Sequence, residues 1–320
     1  MTQGKSVLVT GGAGFVGATL VRHLVQDGHR VRVLDNYSTG DPAHLAGVDA
    51  EQVEGDIRDA ATIDAALAGM DSVIHLAAAG SVIKSIEDPV ANFEANVLGT
   101  FRVLDSARRA GVERTVQAST GGALIGDATP PVDENSLPKP ISPYGASKLA
   151  GEGYAYAFSQ CYDLRTIALR FANIYGPWSE RKTGAMNMFF KAIHGGEPIV
   201  MYGDGTSSRD YTHVDDISRA LRLALSTDVP GGTVLHIASG VETTVRELAD
   251  LCKAAAGVPD HPVRHLPERP GEVDRNFASY DLANKVLGYA PTISREDGIR
   301  RTWAWYNEAV FAPRTSALPG

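Results

Sequence analysis

Short apolar runs alternate with longer amphipathic ones through the first half of the chain. Val7–Thr10 has strand length, and Ala13–Asp27 carries Phe15, Val16, Leu20, Leu24 and Val25 at helical spacing. Val31–Asp35 predicts a second strand, Glu51–Glu54 a weaker one, and Ser72–Ala77, Arg114–Ala118 and Arg165–Arg170 three more. Helices are predicted between them over Asp59–Ala68, Asn92–Ala110 and Pro143–Tyr162. Strands that alternate with helices form βαβ units, which stack into a parallel sheet covered by helices on both faces. The predicted class is therefore α/β and doubly wound, with its ligand crevice at the carboxyl ends of the strands.

The texture changes after about Tyr175. Turn signals cluster at Gly176-Pro177, Gly195-Gly196, Gly203-Asp204-Gly205 and Gly231-Gly232. Helices are predicted over Ala185–His194, Val214–Ser226, Thr244–Ala256 and Arg295–Ala309, and Leu235–Ala238 reads as a strand returning to the main sheet. The expected organisation is a Rossmann-type nucleotide-binding domain over residues 1–175 and a smaller C-terminal lobe over 176–320, with the substrate site in the cleft between them. Ala312–Gly320, with Pro313 and Pro319, reads as a loose tail.

Composition narrows the partners. With 320 residues, 43% hydrophobic and 21% charged, the chain can bury a large core. A net charge of −8 argues against nucleic acid, whose phosphates need a basic surface. Cys161 and Cys252 stand far apart without metal-ligand spacing, so two reduced thiols and no metal site are expected. Met1–Lys5 runs straight into the first strand, and no apolar stretch approaches the roughly 18 residues of a membrane helix. A cytoplasmic protein without a membrane partner is the expectation.

The chemistry begins at Thr10-Gly11-Gly12-Ala13-Gly14-Phe15-Val16-Gly17. Gly11, Gly14 and Gly17 recur at three-residue spacing where the first strand turns into the first helix, so the backbone can approach a pyrophosphate over the helix N-terminus. Glycine also marks ordinary turns, but strand before and helix after are the required context. Asp35 ends the second strand, 18 residues beyond Gly17. A carboxylate there accepts hydrogen bonds from ribose hydroxyls and repels a 2′-phosphate, which favours NAD over NADP. Asn36 follows it, and Asp56 ends the third strand, either at an adenine edge or as a helix cap.

Tyr144 and Lys148 form the sole Tyr-x-x-x-Lys pair among eleven tyrosines. At i and i+4 of a helix they share a face, and a nearby cation favours the phenolate, making Tyr a base near neutral pH. Ser119 and Thr120 lie at the carboxyl end of a strand, where a hydroxyl can relay a proton or hold a developing alkoxide; each alone could equally cap a turn.

Together these segments resemble the extended short-chain dehydrogenase/reductases. The resemblance runs through Gly55-Asp56-Ile57, His75-Leu76-Ala77-Ala78, Asn96, Arg170–Pro177, Tyr202–Gly205, Arg209-Asp210-Tyr211 and Arg269–Glu272, and covers nearly the whole chain. It is nearest to nucleotide-sugar enzymes of the UDP-glucose (UDP-galactose) 4-epimerase type. It implies tightly bound NAD held by Gly11, Gly14, Phe15, Val16, Gly17, Asp35, Asn36, Asp56, Ile57, Leu76, Ala77, Ala78, Asn96, Tyr144, Lys148 and Phe171. It implies a UDP-sugar held by Ser119, Thr120, Asn173, Tyr202, Arg209, Arg269 and Glu272, the family usually having Asp in place of Glu272. Tyr144 would be the base, Lys148 its tuning partner and Thr120 the catalytic hydroxyl, in a homodimer built on the two long helices.

Relatives that dehydrate or decarboxylate a sugar nucleotide place an acid beside the active hydroxyl, where this chain has Gly121 and Gly122. A net reductase would want NADPH, which Asp35 disfavours. A non-catalytic NAD-binding protein of the fold tends to lose the Tyr or the Lys. The expected activity is C4 epimerisation of UDP-glucose/UDP-galactose or UDP-glucuronate/UDP-galacturonate, with N-acetylhexosamines open because Asn276 stands about where a bulky residue restricts them. Arg181 or Lys182 is a candidate for a uronate carboxylate, each as readily a solvated surface charge.

Overall fold

β1 (Ser6–Thr10), α1 (Phe15–Gln26), β2 (Arg30–Asp35) and β3 (Glu51–Glu54) form the first half-sheet, with all strands parallel. After α2 (Ala60–Leu67) the chain returns to the opposite side of β1 as β4 (Ser72–His75). That reversal makes a topological switch point between the carboxyl ends of β1 and β4, the place where such sheets bind ligands. The computed structural model describes residues 4–268 and 274–312.

α3 (Val82–Glu87), α4 (Pro89–Phe93) and α5 (Gly99–Arg109) follow, the last two joined by a π-helical turn at Glu94–Leu98. The predicted helix over Asn92–Ala110 thus starts earlier, where Asp88 accepts from Ala91 N and Pro89 takes the first turn, and it widens around Asn96. β5 (Arg114–Thr120), the short α6 (Gly122–Ile125), α7 (Pro143–Tyr162) and β6 (Arg165–Phe171) complete this half. β5 and β6 run beyond their predicted ends, and the register sets Thr120 beside Phe171 at the crevice.

The second half supplies β7 (Asn173–Tyr175), α8 (Ala185–Gly195), β8 (Ile199–Tyr202), β9 (Ser208–His213), α9 (Val214–Ser226) and β10 (Thr233–Ile237). β11 (Glu242–Thr244), α10 (Val245–Ala255), β12 (Val263–Leu266), β13 (Arg275–Asn276), α11 (Asp281–Leu287) and α12 (Arg295–Trp305) follow. β10 pairs with β6, as its pattern predicts, so the main sheet has seven strands in the order β10-β6-β5-β4-β1-β2-β3.

One apolar layer packs α1, α9 and α11 on one face of that sheet, with Leu20, Leu24, Ile217 and Leu221 fully buried. The opposite face carries α2 and α5 through Leu8, Ile63 and Val103, with α7 beside them through Leu104 and Phe158. A separate core of Phe189, Phe190, Met201 and Leu248 lies among α8, α10 and α12. Two smaller sheets, β11-β9-β13 with β7 on β9, and β12-β8, complete the structure among the described residues. No helix among the described residues is long and apolar enough to cross a membrane.

Candidate active site

At the switch point β1 ends in a turn that only glycine fits. Gly11 has φ +71°, and a Cβ there would lie 2.7 Å from Ala77 N. A Cβ on Gly17 would lie 2.3 Å from Gly11 O, so α1 packs backbone on backbone against the turn. Gly14 is the N-cap of α1 and brings no side-chain cap, which leaves the first-turn N–H groups, beginning at Phe15 and Val16, for an anion. Leu76 N donates to Thr10 O and Ala77 N to Thr10 Oγ1, closing the β4 side, with Ala78 next.

Asp35 ends β2 beside this cradle. Its carboxylate accepts from Ala13 N at 3.0 Å and Tyr37 N at 2.9 Å, and burial pushes its pKa up. Asn36 Nδ2 donates to Asp56 at 2.8 Å, and Arg58 grips the same carboxylate with two nitrogens, holding Asp56 far below the usual range. Asp56 is not the cap of α2; Asp59 is, through Ala61 N. Ile57 is buried beneath Gly99. Asn96 accepts from Ala79 N and donates to Ala79 O and Ser147 Oγ, bracing the β4 loop against α7. A side-chain-free cradle, an open helix N-terminus and a carboxylate at the end of β2 fit a dinucleotide.

α7 begins at the mouth of this crevice. Ser142 accepts from Gly145 N, Pro143 fills the first helical position, and Tyr144 N donates to Ser85 Oγ. A Cβ on Gly145 would fall 2.0 Å from Ala123 O, so α7 lies directly on the α6 backbone. Tyr144, Thr120, Ser119, Phe171, Asn173, Arg209 and Lys182 line one cleft. The Tyr144 and Thr120 hydroxyls make no hydrogen bond among the described residues, and both are open to a ligand.

The electrostatics differ from the expectation at one point. Burial pushes Tyr144 up to about 12, and Lys148 does not offset it. The Lys148 ammonium is directed instead to the carbonyl oxygen of Ala118, at 3.0 Å. Burial lowers Lys148 to about 8, opposed by Glu152. Lys148 is therefore a cation below about pH 8 and neutral above it. The shared helical face is present, but no hydrogen bond joins the two side chains.

The substrate candidates separate. Asn173 lies on β7 and Arg209 on β9, both in the cleft; Arg209 donates to Ser208 O and Asp274 O. Tyr202 ends β8, in register with Leu266, and is not among the cleft residues. Arg269 and Glu272 lie outside the described residues. Arg181 is not among the residues lining the cleft: its guanidinium pairs with Asp41 at 2.7 Å and donates to Thr39 O and Gly40 O. With His44–Glu180 at 3.1 Å, it fastens the loop after Pro177 to the loop after β2. The adjacent Lys182 lines the cleft, its ammonium 5.1 Å from the centre of the Phe15 ring and 3.4 Å from Ile174 O. The side chain is exposed to solvent, and no carboxylate pairs with it among the described residues.

The reading of the sequence missed the role of Asp210. Its carboxylate accepts from Ser239 N, Ser239 Oγ, Gly240 N and Thr212 Oγ1, and so anchors the wall of the cleft next to Arg209. Its place in Arg209-Asp210-Tyr211 was the one available signal.

The model of the NAD dependent epimerase/dehydratase family matches residues 7–238. The chain is 38% identical over 310 residues to the UDP-glucose 4-epimerase of Mycolicibacterium smegmatis, covering 92% of this chain and 96% of that protein. It is 33% identical over 323 residues to the dTDP-glucose 4,6-dehydratase of Streptomyces niveus, covering 97% and 96%. Among solved structures, the Thermus thermophilus UDP-glucose 4-epimerase complex with NAD superposes with a TM-score of 0.88 at 35% identity, covering 95% of this chain and all of that one.

Proposed function

We propose, from the premise that this chain belongs to the NAD dependent epimerase/dehydratase family, that it is a UDP-sugar 4-epimerase. It would invert C4 of a UDP-linked hexose through a transient 4-keto sugar. NAD is the cofactor of the enzyme.

The observation that carries the choice of reaction is the supply of acids in the cleft. Eliminating water from the sugar needs a free proton donor and a base beyond the Tyr. Asp210 is the only carboxylate among the described residues lining the cleft, and four hydrogen bonds from the protein occupy it. Beside Thr120 there are only Gly121 and Gly122. A Cβ on Gly121 would meet His236 Nδ1 at 3.3 Å, and one on Gly122 would meet Asn276 Nδ2 at 2.8 Å. This arrangement supports epimerisation over dehydration.

In the proposed reaction Tyr144 takes the proton from the sugar 4-hydroxyl and later returns it. Thr120 donates to the C4 oxygen while that oxygen carries negative charge. Lys148 holds the end of β5 and supplies positive potential along the helix face. When bound, NAD supplies the hydride acceptor and donor for C4 and ends each turnover in its starting redox state. Asn173 and Arg209 would hold the diphosphate, and Ser119 a sugar hydroxyl.

UDP-glucose/UDP-galactose and UDP-glucuronate/UDP-galacturonate are the proposed substrates; the unpaired Lys182 ammonium in the cleft supports keeping the uronates. Purified protein incubated with each UDP-sugar, without added reductant, is expected to yield the C4 epimer. A 4-keto-6-deoxy sugar, a pentose or stoichiometric NADH would overturn the reading. The proposed assembly is a homodimer. Ile83, Ile86, Val90 and Phe93 of α3 and α4, with Tyr154 of α7, form an exposed apolar face that a second copy would cover. Light scattering should give about twice 34.0 kDa; the single-chain mass would exclude it.

A further inference from the structure

A buried polar layer crosses three neighbouring strands beneath the cleft. Ser119 on β5 stands in register with Arg170 on β6, and Arg170 with His236 on β10. Glu152 of α7 lies against this row, only 6% exposed, as is Arg170. Its Oε1 accepts from Ser119 Oγ at 2.6 Å and from Arg170 Nε at 2.9 Å, and its Oε2 from Arg170 Nη2 at 2.8 Å. A buried ion pair is a poor source of stability, because both charges lose their hydration. What this one secures is geometry.

α7 presents Tyr144, Lys148 and Glu152 at four-residue intervals, a single face leading inward from the cleft. Lys148 holds the carbonyl oxygen of Ala118 and Glu152 the hydroxyl of Ser119, the two residues directly before Thr120. The Ser119 proton is committed to Glu152, so Ser119 faces the cleft as an acceptor only. Thr120, with no hydrogen bond among the described residues, is the hydroxyl of the two that can donate.

We propose that Glu152 is a positioning residue for proton transfer: locked by Arg170, its carboxylate orients the Ser119 hydroxyl and stands one turn beyond Lys148 as the counter-charge of that ammonium. This rests on the reading of Tyr144 and Lys148 as the proton-transfer pair. The charged and titratable groups that act on the Lys148 ammonium are Glu152 on its own helix and His75 on β4, with Arg170 behind Glu152. Of these, Glu152 favours the Lys148 cation, against burial.

The test is the pH profile of epimerisation in the NAD-loaded enzyme, with NAD content and melting temperature measured alongside. Wild type should lose activity as pH rises through about 8, where Lys148 loses its proton. Glu152→Gln is expected to lower kcat roughly 10- to 100-fold, with KM little changed, and to move that alkaline limb to lower pH. Glu152→Asp, which keeps the charge, should restore the limb. Where Glu152→Gln does not fold, the double variant Glu152→Met with Arg170→Met removes both charges together and should lower kcat likewise. Ser119→Ala, which leaves the ion pair intact, should lower kcat without moving the limb. A folded Glu152 variant with wild-type kcat and limb, or Ser119→Ala at full rate, overturns the proposal. Tyr144→Phe serves as the control. If it stays active the functional reading itself fails; if it is inactive while the Glu152 variants behave as wild type, this inference alone fails.

Discussion

Tyr144→Phe is expected to lower turnover by roughly 10²- to 10⁴-fold, the range for losing a positioned acid–base group. The fold and the NAD content should be unchanged. The phenol lines the cleft, and its hydroxyl makes no hydrogen bond among the described residues, so removing it leaves no orphaned partner. The ring that packs at the start of α7 is kept. Burial holds the phenol up at about 12, which means the free phenolate is scarce at neutral pH. The wild-type rate must then come from charges arranged near the oxygen, and with no oxygen that arrangement has nothing to act on. Product analysis with a UDP-sugar and quantification of NAD released by acid would check both halves. Turnover near wild type would remove Tyr144 as the base.

Gly11→Ala should cost the enzyme its cofactor. A left-handed φ costs a non-glycine residue about 1–2 kcal/mol, and Gly11 sits at +71°. The new methyl would also lie 2.7 Å from Ala77 N and 2.9 Å from Ala77 Cα, and overpacking of this kind costs about 1–3 kcal/mol more. Both contacts are backbone, so relief requires β1 and β4 to separate at the switch point. The protein should emerge with little or no NAD and a lower melting temperature. Gly153→Ala is the control, because Gly153 lies in α7 outside the turn and a Cβ there would meet nothing within 4 Å. An NAD-replete Gly11→Ala variant would show that the turn tolerates a side chain and is not a tight cradle.

Most of the main sheet was legible because its strands are apolar runs bounded by turns. β1, β2, β4, β5 and β6 were all predicted, as was the return of β10. The other strands of the second half were not. β9 reads Ser-Arg-Asp-Tyr-Thr-His, and its strand character comes from pairing with β7, β11 and β13, partners distant in sequence. Such pairings leave no local period. Arg181 and Lys182 show the same limit at one site, since adjacent cations in a charged loop look alike. The partner Asp41, 140 residues away, turns Arg181 outward and leaves Lys182 to the cleft.

What the sequence determined by itself is the set of positions where chemistry is local: the glycine turn, the carboxylate at the end of β2, and a Tyr and Lys four residues apart on a capped helix. Backbone strain, strand periodicity and helical spacing act over a few residues, so they can be read from a few residues. Tertiary structure decided the electrostatics. It sent the Lys148 ammonium to Ala118, set Glu152 and Arg170 beneath Ser119, occupied Asp210, the only cleft carboxylate among the described residues, and filled the space beside Gly121 and Gly122 with His236 and Asn276. Charge state and proton direction depend on burial and on partners brought from distant segments, and those exist only once the chain has folded.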